Sequence, residues 1–138
     1  HVIPELILSV HDLVQKNSSG RLSLPIKGTG TATRAFIHID DFIRALDIVL
    51  QKGQHLGLYH IGTPEEVTVS ELARLIGRFF DRNITVIPGE EDRGSTCRRC
   101  PDIGKILELG YRPEITLEAG LATVAEWYVH HAETAKRE

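Results

Sequence analysis

Apolar positions recur along this chain with two periods, and the switches between them predict its elements. From Val2 to Val14 they fall at 2, 3, 6, 7, 10, 13 and 14, the stripe of an amphipathic helix. Pro4 is acceptable in the first turn, where its missing N–H has no partner to lose. Asn17-Ser18-Ser19-Gly20 ends that helix, and Leu22 to Lys27 reads as a short strand. A second helical pattern opens at Asp40-Asp41, where a carboxylate accepts unpaired backbone N–H groups. It runs through Phe42, Ile43, Leu46, Val49 and Leu50 to a stop at Lys52-Gly53. Gly57 to Gly62 is a glycine-bounded run with the length of a buried parallel strand. Thr68 and Glu71 have the spacing of a capping box ahead of a helix that carries Leu72, Leu75, Ile76, Phe79 and Phe80. Asn83 to Pro88 predicts another strand, and Gly89 to Cys100 a polar loop. A short helix follows from Pro101-Asp102 to Leu109, with Gly110 as its left-handed cap. The last helix starts near Thr116 and buries Leu117, Leu121, Val124 and Tyr128, with Trp127 on its flank; the tail from His130 to Glu138 reads as frayed. Helices alternating with short strands place the chain in the α/β class.

The stretch Lys27 to Asp41, KGTGTATRAFIHIDD, is the pivot of this pattern. Gly28 and Gly30 supply the positive φ of a turn. Arg34 to Ile39 then reads as a strand, with Phe36, Ile37 and Ile39 of strand-favouring type. Arg34 stands at the mouth of that strand, where a ligand phosphate could be met.

Composition changes this picture little. The 138 residues suffice for one domain with a core, and 41% hydrophobic and 25% charged residues are ordinary for a globular protein. A formal charge of −3 gives no case for nucleic-acid binding. No apolar run approaches the roughly 20 residues of a membrane span, and no export signal is visible, so the expected location is cytoplasmic. Two cysteines, Cys97 and Cys100, exclude a disulfide scaffold. They also make zinc improbable, since a structural site needs four ligands and no second pair has suitable spacing. The apolar opening of the chain reads as cut from something longer.

Three ordered motifs, GTGTATRAFIHIDDFIRAL, LYHIGTPEEVTVSELARLIG and CRRCPDIGKILELGYRPEITLEAGLATVAEWY, carry a resemblance. Together they resemble the C-terminal part of the extended short-chain dehydrogenase/reductases that act on nucleotide sugars. That family includes UDP-glucose 4-epimerase, UDP-glucuronate decarboxylase and dTDP-glucose 4,6-dehydratase, the decarboxylase and its epimerase relatives looking nearest. The resemblance implies that residues 1–138 form a small α/β substrate-binding lobe plus the last helix and strand of a Rossmann layer. It further implies a homodimer in the full-length protein, and an NAD-binding Rossmann half outside this chain. The sequence agrees that the chemistry is elsewhere. GTGT lacks a third glycine and does not open a helix after a strand. Four residues after Tyr59, Tyr111 and Tyr128 stand Thr63, Ile115 and Ala132, so no Tyr-x-x-x-Lys pair exists.

What the resemblance carries over is a site for the diphosphate of a nucleotide sugar, at Arg34 and Arg99, with Arg98 a neighbouring candidate. A guanidinium fork suits two phosphate oxygens and stays charged at any working pH. Lys27 replaces the aromatic residue that relatives place against the nucleobase, which leaves the base open. A sensor of the same fold that binds a nucleotide sugar without turning it over is the rival reading. Arg93 belongs to the same basic region. His38 is expected to pack or to help cap the helix after it, and Glu65-Glu66 to be a solvated loop entry.

Overall fold

The computed structural model describes residues 1–90 and 94–132. Among these described residues, five helices pack around two small sheets. Helix α1 (Val2–Lys16) buries Leu6, Ile7 and Val10, one face of the predicted stripe. It packs with α3 (Val69–Phe79) and α5 (Leu117–His130) over strands β1 (Leu22–Pro25) and β4 (Ile84–Ile87). The two strands run parallel, with Leu22 opposite Ile84 and Pro25 opposite Ile87. Leu22 and Leu24 point into this core among Leu72, Ala73, Ile76, Leu121 and Ala125, the alternation expected when one face of a strand is covered.

The capping box forms as expected. Glu71 N–H donates to Thr68 Oγ1 at 3.1 Å, while Thr68 N–H donates to Glu71 Oε2 at 2.8 Å. Thr116 caps α5 by accepting from Ala119 N–H at 3.3 Å. Gly110 adopts φ 98°, the left-handed conformation expected after the short helix α4 (Gly104–Glu108). Gly77 is required by packing: a Cβ there would lie 2.4 Å from Ile84 Cγ1 and 2.7 Å from the Arg82 carbonyl oxygen.

The second sheet places the pivot. Its centre is β2 (Thr33–Ala35), flanked by β3 (Glu66–Thr68), antiparallel, and β5 (Arg98–Arg99), parallel. Neither flanking strand is readable from periodicity, since three and two residues cannot show a period. The strand predicted from Arg34 to Ile39 stops at Ala35, because helix α2 (Ile39–Lys52) begins four residues later.

The cap of α2 also differs from expectation. His38, not a carboxylate, is the N-cap, its Nδ1 accepting from Asp40 N–H at 3.3 Å. Asp41 is instead fully buried and accepts from Glu114 N–H at 3.1 and 3.2 Å and Ile115 N–H at 3.0 Å, with Arg44 as its ion pair. It ties α2 to the segment that leads into α5. Nearby, Ala45, Ile103, Ile106 and Tyr111 form a second small core, in which the Tyr111 hydroxyl donates to the Gly62 carbonyl at 3.1 Å. Burial and the Asp41 charge raise the Tyr111 pKa, which keeps that hydroxyl a donor.

Two further expectations fail. Residues 57–62 are not a strand, because no neighbouring strand among the described residues supplies their ladder bonds, and Leu58 lies 72% exposed. The solvated entry fails at Glu66, which sits half-buried in β3; Glu65 is exposed, yet its Oε2 accepts from Leu117 N–H at 2.9 Å at the start of α5. The predicted frayed tail largely lies outside the described residues, although His130 is the last residue of α5.

Candidate functional site

The turn between β1 and β2 is built by hydrogen bonds from both sides. Gly28 and Gly30 take φ of 70° and 79°, as the sequence predicts for this turn. Gly28 N–H donates to the Glu90 carbonyl at 3.0 Å, and Gly89 N–H returns a bond to the Gly28 carbonyl at 3.1 Å. On the other side the first N–H groups of α3 hold the turn: Val69 donates to the Ala32 carbonyl and Ser70 to the Gly30 carbonyl, each at 3.0 Å. These two groups have no partner within their own helix, so the turn and the helix satisfy each other. Gly30 cannot be another residue without displacement, since a Cβ would lie 2.2 Å from Ser70 Oγ.

This anchored turn delivers Arg34 to the wall between two clefts. The smaller, about 90 Å³, is lined by the turn itself, with Lys27, Ala32, Arg34, Val69 and Ser95. The larger, about 470 Å³, lies between α1 and the end of β1, and Lys27, Arg34 and Val69 line it as well. Arg34 is half-buried and one of its terminal nitrogens donates to the Thr33 carbonyl at 2.7 Å.

Pairing across the sheet sorts the other arginines. Arg34 is opposite Arg99 and Thr33 opposite Arg98. Paired residues in a parallel ladder share a face and successive residues alternate, so Arg34 and Arg99 stand on one face and Arg98 on the other. Arg98 meets Glu66 there in a forked ion pair, with contacts of 2.8, 3.0 and 3.1 Å. The Thr33 hydroxyl donates to the same carboxylate. These bonds, Thr33 first and Arg98 second, pull the Glu66 pKa below the ordinary carboxylate value, and Glu66 in turn raises that of Arg98. The forked bond therefore occupies Arg98, whereas Arg34 and Arg99 have no carboxylate partner among the described residues. Arg99 Nε donates to Thr96 Oγ1 at 2.6 Å, and Arg99 lines neither cleft. Arg93 lies outside the described residues.

The structure puts Arg34, Lys27 and both glycines on the lining of these clefts, and adds α1, which sequence reasoning did not bring to the turn: its Val2, Glu5, Leu6 and Ser9 line the larger cleft. Helical spacing alone puts these four on one face, but nothing in the pattern says that the face meets the turn. Glu66 as the anchor of Arg98 was equally out of reach, since the pair spans 32 residues.

Two further chemistries lack a foothold here. The glycine turn opens a strand rather than a helix, so it offers no helix N-terminus to a dinucleotide pyrophosphate. Cys97 and Cys100 are free thiols, and no cluster of three metal-ligating side chains occurs among the described residues. No helix among them is long and apolar enough to cross a membrane.

Residues 1–62 match the family model described as the NAD dependent epimerase/dehydratase family. A probable GDP-L-fucose synthase of Oryza sativa subsp. japonica is 30% identical over 137 residues, covering 99% of this chain and 41% of that protein. A UDP-glucuronic acid decarboxylase of Arabidopsis thaliana is 37% identical over 101 residues, 71% of this chain and 22% of its own length. Among solved structures, a dTDP-glucose 4,6-dehydratase of Streptomyces venezuelae, crystallised with NAD bound, superposes with a TM-score of 0.77 at 30% identity. That match covers 97% of this chain and 40% of the dehydratase. The chain thus spans about two fifths of the length of the proteins that match nearly all of it.

Proposed function

From the chain's kinship with the extended short-chain dehydrogenase/reductases of the NAD-dependent epimerase/dehydratase family, we propose that it holds the diphosphate of a nucleotide-sugar substrate. Arg34 supplies the forked donor, Arg99 a second guanidinium on the same face, and Lys27 a further cation at the rim. Arg98 holds the sheet through Glu66 rather than the ligand. NAD and the residues that exchange protons and hydride with the sugar belong to a partner half of the enzyme, not to these residues. The reaction is an epimerisation, dehydration or decarboxylation of the sugar, the classes printed in the family description and in the names of the dehydratase and decarboxylase relatives.

The observation that carries this reading is the position of Arg34. It stands on the wall shared by two clefts, beside a glycine turn, with no carboxylate among the described residues to neutralise it. Titrating UDP and inorganic pyrophosphate into the chain by calorimetry tests it. Arg34→Lys keeps the charge but loses the fork, and a charge-assisted hydrogen bond contributes about 1.5–3 kcal/mol. The expected result is a rise in Kd of roughly tenfold or more for both ligands, since 1.4 kcal/mol is a factor of ten. Arg98→Lys should change either Kd by much less. Equal affinities for wild type and Arg34→Lys would remove the phosphate role.

A further inference from the structure

We propose that Cys97 and Cys100 are a dithiol modification site: a small disulfide of the glutathione class converts them to an internal disulfide, and that bond takes β5 off its sheet. The consequence for binding at Arg99 rests on the diphosphate reading, whereas the thiol chemistry and the strand release do not. Both cysteines are free thiols, Cys97 exposed and Cys100 half-buried. The two residues between them, Arg98 and Arg99, are the whole of β5. Strand and disulfide exclude each other by distance. An extended chain rises about 3.3 Å per residue, so three steps put the Cα atoms of Cys97 and Cys100 about 10 Å apart. A disulfide holds its two Cα atoms at roughly 4.4–6.8 Å. A turn brings residues i and i+3 within about 7 Å, so closing the bond makes Arg98 and Arg99 the centre of a turn.

What the sheet loses is specific. Thr33 N–H donates to the Cys97 carbonyl at 2.8 Å, and Thr33 and Arg34 pair with Arg98 and Arg99 in the parallel ladder. On oxidation Arg98 leaves its fork on Glu66, and Arg99 leaves the face it shares with Arg34. Strand β2 keeps β3, so the sheet shrinks without dissolving. Strand β5 is suited to such release, being two residues long, exposed, and bonded to β2 alone. The exchange balances in two steps. The Cys97 thiolate attacks one sulfur of the oxidant, whose S–S bond breaks and expels one thiol. The Cys100 thiolate then attacks the Cys97 sulfur of the mixed disulfide and expels the second. Two protein thiols give up two electrons and two protons, and the oxidant's disulfide becomes two thiols. Cys100 stands beside Glu66, whose carboxylate it helps to hold ionised, so the same side chain that clasps β5 also borders the reacting sulfur.

The test equilibrates the 138-residue chain in glutathione redox buffers and counts its free thiols by alkylation and mass spectrometry. One internal disulfide per chain should form, and neither Cys97→Ser nor Cys100→Ser should form it. The Thr33 amide should exchange its hydrogen about tenfold faster or more in the oxidised chain, because its acceptor has moved away. Glu66→Gln loosens the clasp on Arg98, so half-oxidation should need roughly two- to fivefold less oxidised glutathione, the range of an exposed ion pair. Local charge alone predicts the reverse, since losing the carboxylate stabilises a thiolate at Cys100 and keeps the pair reduced. Circular dichroism checks that Glu66→Gln stays folded, and Arg98→Gln, which opens the same fork from its exposed side, should shift the midpoint the same way. Disulfides formed only between chains, a glutathione adduct that never resolves, an unchanged Thr33 amide, or a midpoint that neither variant lowers overturns the proposal. Pyrophosphate should bind the oxidised chain roughly tenfold more weakly, the loss of one charge-assisted hydrogen bond. An unchanged pyrophosphate affinity with a freed Thr33 amide removes Arg99 from the diphosphate reading and supports the redox site.

Discussion

A single carboxylate shows how far a residue's role depends on where the fold sends it. Asp41 follows a strand-like run and opens a helical one, which by local rules makes it a helix cap. In the fold His38 takes that role, and Asp41 goes inside to accept two backbone N–H groups from Glu114 and Ile115. The local pattern could not separate these, because the partners lie more than 70 residues away. Arg34 was legible for the opposite reason: its glycine turn is local and its motif long. The buried position of Asp41 makes a testable claim. Asp41→Ala leaves two N–H groups and the Arg44 guanidinium without their acceptor, at roughly 1–3 kcal/mol for each unsatisfied group. A loss of about 3–5 kcal/mol in urea unfolding is expected, on the scale of breaking a buried pair. Asp41→Asn, which retains one acceptor oxygen, should lose less. A cost below about 1 kcal/mol for Asp41→Ala, within the range of surface substitutions, would mean that the α2 tie is unimportant.

Elements were legible in proportion to their length. The helices α3 and α5 carried period and caps together and α1 its period alone, and the structure places their starts at Val69, Leu117 and Val2. Strands of two and three residues carried neither, and β3 and β5 exist because β2 offers them an edge on each side. Gly77 within α3 sets two effects against each other. Alanine is favoured over glycine by about 1 kcal/mol in a helix interior. Against that, its Cβ would meet the Arg82 carbonyl oxygen at 2.7 Å, a backbone atom that cannot swing away. Overpacking typically costs 1–3 kcal/mol, so Gly77→Ala should destabilise the chain by roughly 1–2 kcal/mol net. A stabilised variant would show that the Phe80–Ile84 connection yields. The three-stranded sheet should also be sensitive to acid. The folded pKa of Glu66 lies below its ordinary 4.5, so its contribution is complete above that value and fades as pH falls through the depressed one. The difference in unfolding midpoint between wild type and Glu66→Gln should therefore be largest near neutrality and shrink below pH 4.5. A difference that stays constant down to pH 3 would assign the effect of the substitution to packing.

At the scale of the whole molecule, the two cores are covered to different degrees. The principal one lies between α1, α3, α5 and the β1–β4 pair. The smaller one has α2 on its outside, and the outer face of that helix is apolar: Ile39, Ile43 and Leu50 are 61%, 56% and 76% exposed. Leu56 and Leu58 continue the apolar surface into the segment that was expected to be a strand and finds no strand beside it. Singly exposed apolar residues are ordinary on a protein surface, but five or more on adjoining segments mark a surface that another layer covers. On the reading proposed for this chain, that layer would belong to an NAD-binding half, which would cover both the α2 face and the segment 57–62. Two outcomes are expected for the 138-residue chain in isolation. Titration with NAD should show no saturable micromolar binding, because the glycine turn opens a strand and no helix N-terminus receives the pyrophosphate. Light scattering should show concentration-dependent association, since burying each large apolar side chain favours contact by about 1.5–3 kcal/mol. Replacing Ile43 and Leu50 together by lysine removes two exposed members of the face without touching either core. That double variant should scatter as a monomer at concentrations where wild type does not, while keeping its far-ultraviolet circular dichroism. A wild-type chain that stays monomeric at high concentration, or a double variant that associates equally, would show that α2 presents no sticky face. Association would then have to be sought at another surface, such as that around Trp127, which is 53% exposed on α5.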